Sequence, residues 1–524
     1  MYDYVIVGAG SAGCVVAARL SEDPDVSVCV IEAGPPDTHE NIHIPIGSPR
    51  LFRTRLDWDY DSHLEPHCGN RRMYLPRGRV LGGSGSMNGM VYIRGHRSYY
   101  DEWHQPDWNY DALLPYFRRG EDNERGADEY HGVGGPMSVS DNRARNPMSV
   151  AFVEAAVQAG HKANDDFNGA QQDGFGFYQV TQRHGRRCSS AVAYLRPAMD
   201  RPNLTVETNL QVHRVLFEDG RACGVVGQRL DTEIEIRAER EVIISAGTYN
   251  SPQLLMLSGV GPADALRQLG IPVVLDQPDV GQNLSDHTQA FLVFTHSQPV
   301  SLLAAGEPEN VRLFVEEDRG PLTSNIPEVG GFARSRDGLA RPDLQFHAAP
   351  VMFVDGGLGV PTAHGISYGA DVLGARSRGS VTLVSDDPTA KPRIVHNYFA
   401  EPDDMGAAVV GLRMGLDIGR QQALSLYTET PYHPPVSDSD ADLRDYIVRY
   451  SETTYHPVGT CALGKVVDAE LRVAGVAGLR VVDGSVMPTV FGNPNAPTVA
   501  IAEKASDLIR GITPLPQEHP SVAG

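Results

Sequence analysis

The 524-residue chain is short of cations: 45 lysines and arginines face 66 aspartates and glutamates, a formal net charge of −21. An acidic excess of that size repels phosphate backbones and anionic membrane surfaces, so nucleic acid is not an expected partner. Cysteine is scarce as well. Cys14, Cys29, Cys68, Cys188, Cys223 and Cys461 are scattered with no CxxC, which argues against a zinc ribbon, a dithiol redox site or a disulfide framework. No metal site is expected, and a reducing cytoplasm fits this usage best. No apolar run approaches the ~18–20 residues that span a bilayer. The N-terminus passes from Tyr2 straight into a strand-like run, without a signal-peptide pattern. A cytoplasmic protein with no membrane span is therefore expected.

What is present is a chain too long for one simple core, 41% hydrophobic, with 54 glycines and 37 prolines that imply many turns and long connections. The opening residues "DYVIVGAGSAGCVVAARLSEDPDVSVCVIEAG" read as a β-branched strand, a glycine turn, an Ala-rich helix and a second strand ending in an acid. That order is a βαβ unit. Gly8, Gly10 and Gly13 form G-x-G-x-x-G: the first permits the tight turn, the second lets backbone approach a pyrophosphate, and the third allows close helix–strand packing. Glu32 closes the second strand, where an acid accepts hydrogen bonds from an adenosine ribose. Dinucleotide binding follows, without a choice between FAD and NAD.

Further apolar strands come late, in "EREVIISAG" and in "GLRVVDGSVMP". Strands of one nucleotide domain at both ends of the chain make the second domain an insertion. Between them "NLTVETNLQVHRVLFEDGRACGVVGQRLDTEIEIRAEREV" alternates around turn signals such as "EDGR", as a β-meander does. Ser251-Pro252 is expected to open a helix, with Pro at its first position, that Gly259 stops.

Two long segments, "GRVLGGSGSMNGMVYIRGHRSYYD" and "GTYNSPQLLMLSGVG", resemble the two signatures of the glucose–methanol–choline (GMC) family of FAD-dependent oxidoreductases. The similarity runs nearly the whole length, closest to its choline-oxidase or choline-dehydrogenase-like branch. It implies an α/β fold: a Rossmann-like FAD-binding domain of residues 1–148, 201–285 and 450–513, with an inserted α+β substrate domain on an antiparallel sheet, residues 149–200 and 286–449. Residues 514–524 are left as a tail. The resemblance places Ser11, Gly82, Ser86, Asn88, Gly89, Val91, Val212, Asp483, Asn493 and Pro494 around the cofactor, with Gly8, Gly10, Gly13 and Glu32. Met87 stands where choline oxidase has a histidine bonded to the flavin, so the FAD is expected to be noncovalent.

His456 in "YHPVGT" resembles the family's catalytic histidine, and Asn493 in "VFGNPNAPT" its second catalytic residue. Each precedes a proline, which holds local backbone extended and lets two rigid loops converge. Oxidising an alcohol removes a hydroxyl proton and a hydride: a neutral imidazole takes the first, and flavin N5 takes the second. The helix after Asn493 offers its positive end to the reduced flavin. Gln289 occupies the position of the carboxylate that meets choline in choline oxidase, and His347 that of a second substrate-side histidine. The expected reaction is oxidation of a primary alcohol to an aldehyde, with dioxygen or another acceptor reoxidising the flavin. A redox-neutral lyase like hydroxynitrile lyase, of the same family, is the alternative. Oligomeric state is not legible, and a homodimer stays open.

Overall fold

The computed structural model describes residues 1–520. Two sheets organise it. The first sets the strands Leu204–Glu207, Val28–Ile31, Tyr2–Val7, Thr232–Ile244 and Leu479–Val481 side by side in parallel. Its central strands are buried on both faces, as parallel strands under helices must be. The helix Ser11–Leu20 makes the crossover between the first two, and the helix Asn495–Arg510 packs beside it.

Thr232–Ile244 is long enough to leave this sheet and pair antiparallel with Arg221–Arg229, which pairs in turn with Gln211–Glu218. The "EDGR" turn is a two-residue hairpin loop in which Asp219 and Gly220 both take positive φ, 49° and 77°. The meander starts later than its alternation suggests. Leu204–Glu207 is instead a parallel partner of Val28–Ile31, because the Asn203 side chain donates to Ser21, Asp23 and Val26 carbonyls and ties it to the preceding turn.

The second sheet is antiparallel and eight-stranded. Its path is Thr430–Tyr432, Leu292–Thr295, Gly365–Val372, Leu344–Ala349, Val329–Ala333 and Gly174–Phe177, with Thr288–Ala290 pairing to Gly365–Val372 and Ser451–Thr453 pairing to Thr288–Ala290. The helix Pro402–Gly419 covers one face through Gly411 and Gly415, where an added Cβ would come within 2.8 Å of Ala370 Cβ and 3.1 Å of Leu292 Cδ1. The other face looks into the cavity described below.

Two assignments move. Ser451–Thr453 pairs with Thr288–Ala290 in the antiparallel sheet, so the C-terminal nucleotide segment begins after it. Ala191, Tyr194 and Leu195 join the core around the helix Ser11–Leu20, so the end of the 149–200 interval lies against the nucleotide domain. A third correction concerns Pro252. The helix runs Gly247–Leu257, placing Pro252 inside it rather than at its start. The ring removes the N–H that would reach the Thr248 carbonyl, and Thr460 Oγ1 donates to that carbonyl instead, at 2.6 Å. No helix among the described residues is long and apolar enough to cross a membrane.

Candidate active site

A cavity of about 570 Å³ runs from the opening glycine turn to the antiparallel sheet. At one end lie Gly8, Gly10, Ser11 and Glu32, with Val212 and the Pro388–Lys391 segment beyond; at the other lie Gln289, His347, His456 and Asn493. Two helix starts face it. Gly10 leads the helix Ser11–Leu20 and Pro494 leads Asn495–Arg510, neither with a side-chain cap, and Asn495 Nδ2 donates to Ser11 Oγ at 2.8 Å between them. Their first N–H groups and positive dipole ends face the cavity of an otherwise acidic protein, an arrangement that suits negatively charged groups.

The glycines divide the labour as the fingerprint requires. A Cβ on Gly13 would lie 1.8 Å from the Gly8 carbonyl oxygen, so Gly13 serves packing behind the cavity wall. A Cβ on Gly10 would meet nothing nearer than 3.9 Å, so Gly10 leaves space for a ligand. Glu32 accepts from Ala9 N at 3.1 Å and Gly34 N at 2.9 Å, and burial pushes its carboxyl up to about 7. Asn88, Gly89, Val91, Asp483 and Pro494 also line the cavity. Gly82 and Ser86 do not: the Ser86 hydroxyl turns back to donate to Leu81 O at 2.7 Å, shaping the turn from behind. Asp483 lines the wall with both oxygens in use, accepting from Gly247 N, Ser251 Oγ and Ser485 N, and so anchors two helical segments. These residues fit a dinucleotide: a bare glycine, two uncapped helix starts and a ribose-type acid in sequence along one cleft.

Arg187 was invisible to sequence reasoning. It is fully buried, with no carboxylate at ion-pair distance among the described residues, and burial alone lowers it to about 9. It donates to Asn88 Oδ1 at 2.7 Å, Gly85 O at 3.2 Å and Ser48 Oγ at 2.6 Å, holding the first signature loop and keeping a positive charge beneath it.

At the far end His456 and Asn493 meet: Asn493 Nδ2 lies 3.1 Å from His456 Nε2. Tyr455 adopts φ 69°, a left-handed backbone rare for a bulky residue, and three contacts hold it there. Its N–H donates to Thr453 Oγ1 at 2.8 Å, its carbonyl accepts from Arg77 Nη2 at 2.8 Å, and its hydroxyl donates to Gly356 O at 3.0 Å. Asp286 carries the histidine itself. One carboxylate oxygen accepts from His456 N at 2.8 Å and His287 N at 2.9 Å, the other from Tyr398 Oη at 2.5 Å and Thr453 Oγ1 at 2.7 Å. Nothing in "NLSDHTQ" marks Asp286 for this role, since three of its four partners come from two distant segments, around Tyr398 and Thr453–His456.

Behind His456 stands His287, with the two Nδ1 atoms 3.2 Å apart. Burial, then His287, His347 and the Arg77 guanidinium, hold His456 well below its ordinary value of 6.5. The imidazole is therefore neutral at ordinary pH, with a lone pair to offer. His347 lies beside Asp371, Nδ1 to Oδ2 3.3 Å. His287, Asp371 and His456 form the one group with metal-ligand spacing among the described residues. Gln289 is buried with neither amide atom hydrogen-bonded, and Phe291, Ala349 and Phe353 line the same cavity. Trp58 and Tyr60 stack on each other at 6.1 Å along the same cavity. All six cysteines are free thiols.

A nucleotide fold whose cleft ends under a histidine and an amide, against an antiparallel sheet, is the layout of a dinucleotide-dependent enzyme. Residues 2–289 and 375–502 match the two parts of the GMC oxidoreductase family, and the chain belongs to that family, as an FAD-dependent oxidoreductase acting on CH–OH donors. The chain is 42% identical to an alcohol dehydrogenase [acceptor] of Pseudomonas putida, over 97% of this chain and 96% of that one. It is equally 42% identical to the mitochondrial choline dehydrogenase of Mus musculus, over 97% of this chain and 89% of that one. Among solved structures, pyridoxine 4-oxidase from Mesorbium loti superposes with a TM-score of 0.89 at 31% identity, covering 98% of this chain and 100% of that one.

Proposed function

We propose that the protein oxidises a primary alcohol to an aldehyde, with His456 taking the hydroxyl proton and Asn493 holding the alcohol oxygen. Bound FAD supplies the hydride acceptor. The observation that carries this reading is the 3.1 Å pair of His456 Nε2 and Asn493 Nδ2 at the wall of the dinucleotide cleft. An alcohol entering there donates its proton to the imidazole lone pair and accepts from the amide, which fixes its carbon near-attack. Asp286 and the strained Tyr455 keep the imidazole from swinging away.

Met87, at the cavity wall, has a thioether that forms no bond of the histidine–flavin type, so the cofactor is held noncovalently. The substrate end carries a neutral amide at Gln289 and two phenyl rings, Phe291 and Phe353, 5.1 Å apart. The two rings would accept either kind of alcohol, but the lack of a carboxylate at Gln289 to pair with a cation favours a neutral alcohol of modest size over a quaternary ammonium alcohol, even though several relatives act on choline by name. His347 is a second polar contact at that wall.

The test is an anaerobic screen of alcohols read at the flavin absorption band, repeated in air with peroxide detection. Bleaching by a primary alcohol supports the reading, and peroxide formation identifies dioxygen as the acceptor. Cyanohydrin cleavage with the flavin staying oxidised would replace it by the lyase.

A further inference from the structure

The base of the proposed reaction is useful only in one tautomer, with the lone pair on Nε2 and the proton on Nδ1. A histidine alone does not choose. We infer that Gln345 and Tyr178, in the substrate sheet, make that choice by fixing the direction of a hydrogen-bond chain that ends on His456.

The chain begins at an atom that can only accept, the main-chain carbonyl of Phe346, to which the Tyr178 hydroxyl donates at 2.5 Å. With its proton committed, the Tyr178 oxygen is left as an acceptor, and Gln345 Nε2 donates to it at 3.3 Å. That contact decides which way the Gln345 amide faces. Its other N–H donates to Asn493 Oδ1 at 2.8 Å, which decides the Asn493 amide in turn. Asn493 therefore presents Nδ2 to His456 Nε2, at 3.1 Å, and the ring nitrogen must be the acceptor. The His456 proton is left on Nδ1, where His287 Nδ1 at 3.2 Å and Thr454 Oγ1 at 3.5 Å receive it. Thr454 Oγ1 has spent its own proton on the His287 carbonyl, at 3.4 Å, so it too accepts.

Gln345 is fully buried in the strand Leu344–Ala349, outside the cavity lining. It also lies 3.4 Å from His347 Nε2. Its own Oε1 has no partner. Turning the amide over would set that oxygen against the Asn493 and Tyr178 oxygens, so the orientation with an orphaned oxygen is the one the chain can sustain. Gln345 is thus a positioning residue, acting through Asn493.

The inference rests on His456 being the base, and the experiment separates the two. Holoenzyme labelled with ¹⁵N-histidine reports which ring nitrogen of His456 carries the proton, with His456→Gln identifying the signal. The wild type should show Nδ1–H and a bare Nε2. In Gln345→Glu the new carboxylate only accepts, so Asn493 must turn its N–H₂ toward it and offer Oδ1 to His456. The proton should then sit on Nε2, and flavin reduction should slow about 100-fold at unchanged flavin content, the scale of a misplaced reacting group. Tyr178→Phe removes the anchor and should slow reduction about tenfold, with mixed tautomers; it carries the test should Gln345→Glu fail to retain flavin. An Nδ1–H signal and a reduction rate unchanged in both variants would overturn the proposal. A tautomer that moves while the rate does not would leave the positioning role standing and remove His456 as the base.

Discussion

Replacing Asp286 separates charge from geometry at the base. Its carboxylate accepts four hydrogen bonds, but the donors differ: His456 N and His287 N can only donate, whereas the Tyr398 and Thr453 hydroxyls can turn round and accept. In Asp286→Asn the amide should therefore keep its oxygen toward the two main-chain N–H groups and point its nitrogen at the hydroxyls. Only the charge assistance is lost, about 1 kcal/mol. Asp286→Ala leaves both N–H groups buried and unpaired, at about 1–3 kcal/mol each, and releases the backbone of His456. We expect Asn to reduce flavin within about tenfold of wild type, and Ala to lose about 100-fold or more, together with several degrees of Tm. Single-turnover anaerobic flavin reduction and thermal denaturation on the same preparations measure both. Equal losses in Asn and Ala would show that the negative charge, and not the pattern of acceptors, holds the histidine.

Burial first, then the His287, His347 and Arg77 side chains, keep His456 neutral, so flavin reduction should stay on its plateau as pH falls through 6.5, the ordinary value. The sign for stability is fixed by the same shift. The unfolded histidine takes a proton near 6.5 and the folded one does not, so His456 contributes stability above that pH and loses it progressively below, which pH-dependent urea titrations would record. Gly13→Ala would drive a Cβ into the Gly8 carbonyl and should cost at least about 3 kcal/mol, the upper end of overpacking. Gly10→Ala meets no main chain within 3.9 Å and should fold while failing to retain FAD; thermal melts and flavin content distinguish them. Gln289→Glu places a charge in the aromatic-walled substrate end, and the ratio of kcat/KM for choline over 3,3-dimethylbutan-1-ol should rise about tenfold or more, measured by steady-state turnover.

Much of the architecture was legible because local physics dictated it. The glycine spacing from Gly8 to Gly13, the acid at Glu32 and the Asp219-Gly220 hairpin each follow from a backbone requirement that few residues meet. His456 and Asn493 were found by their motifs, and the structure brings them together across 37 residues of chain. The strand Leu204–Glu207 was misassigned because alternation does not distinguish a parallel edge strand from a meander, and side-chain ties from Asn203 decide it. The helix Gly247–Leu257 was started late because proline usually opens a helix, while here Thr460 satisfies the carbonyl that Pro252 leaves bare. Asp286, Gln345, Tyr178 and Arg187 were missed for one reason. Each acts chiefly through partners at least 99 residues away in sequence, and such pairings leave no local pattern.

The most direct test of the central claim is anaerobic reduction of the bound flavin by a primary alcohol in wild type and in His456→Ala. Both proteins should be yellow and carry equal FAD, since His456 has no part in the glycine cradle. The wild type should bleach in a single fast phase, and the variant should bleach about 10²–10⁴-fold more slowly, the range a general base supplies. A His456→Ala protein that bleaches as fast as wild type would contradict the account.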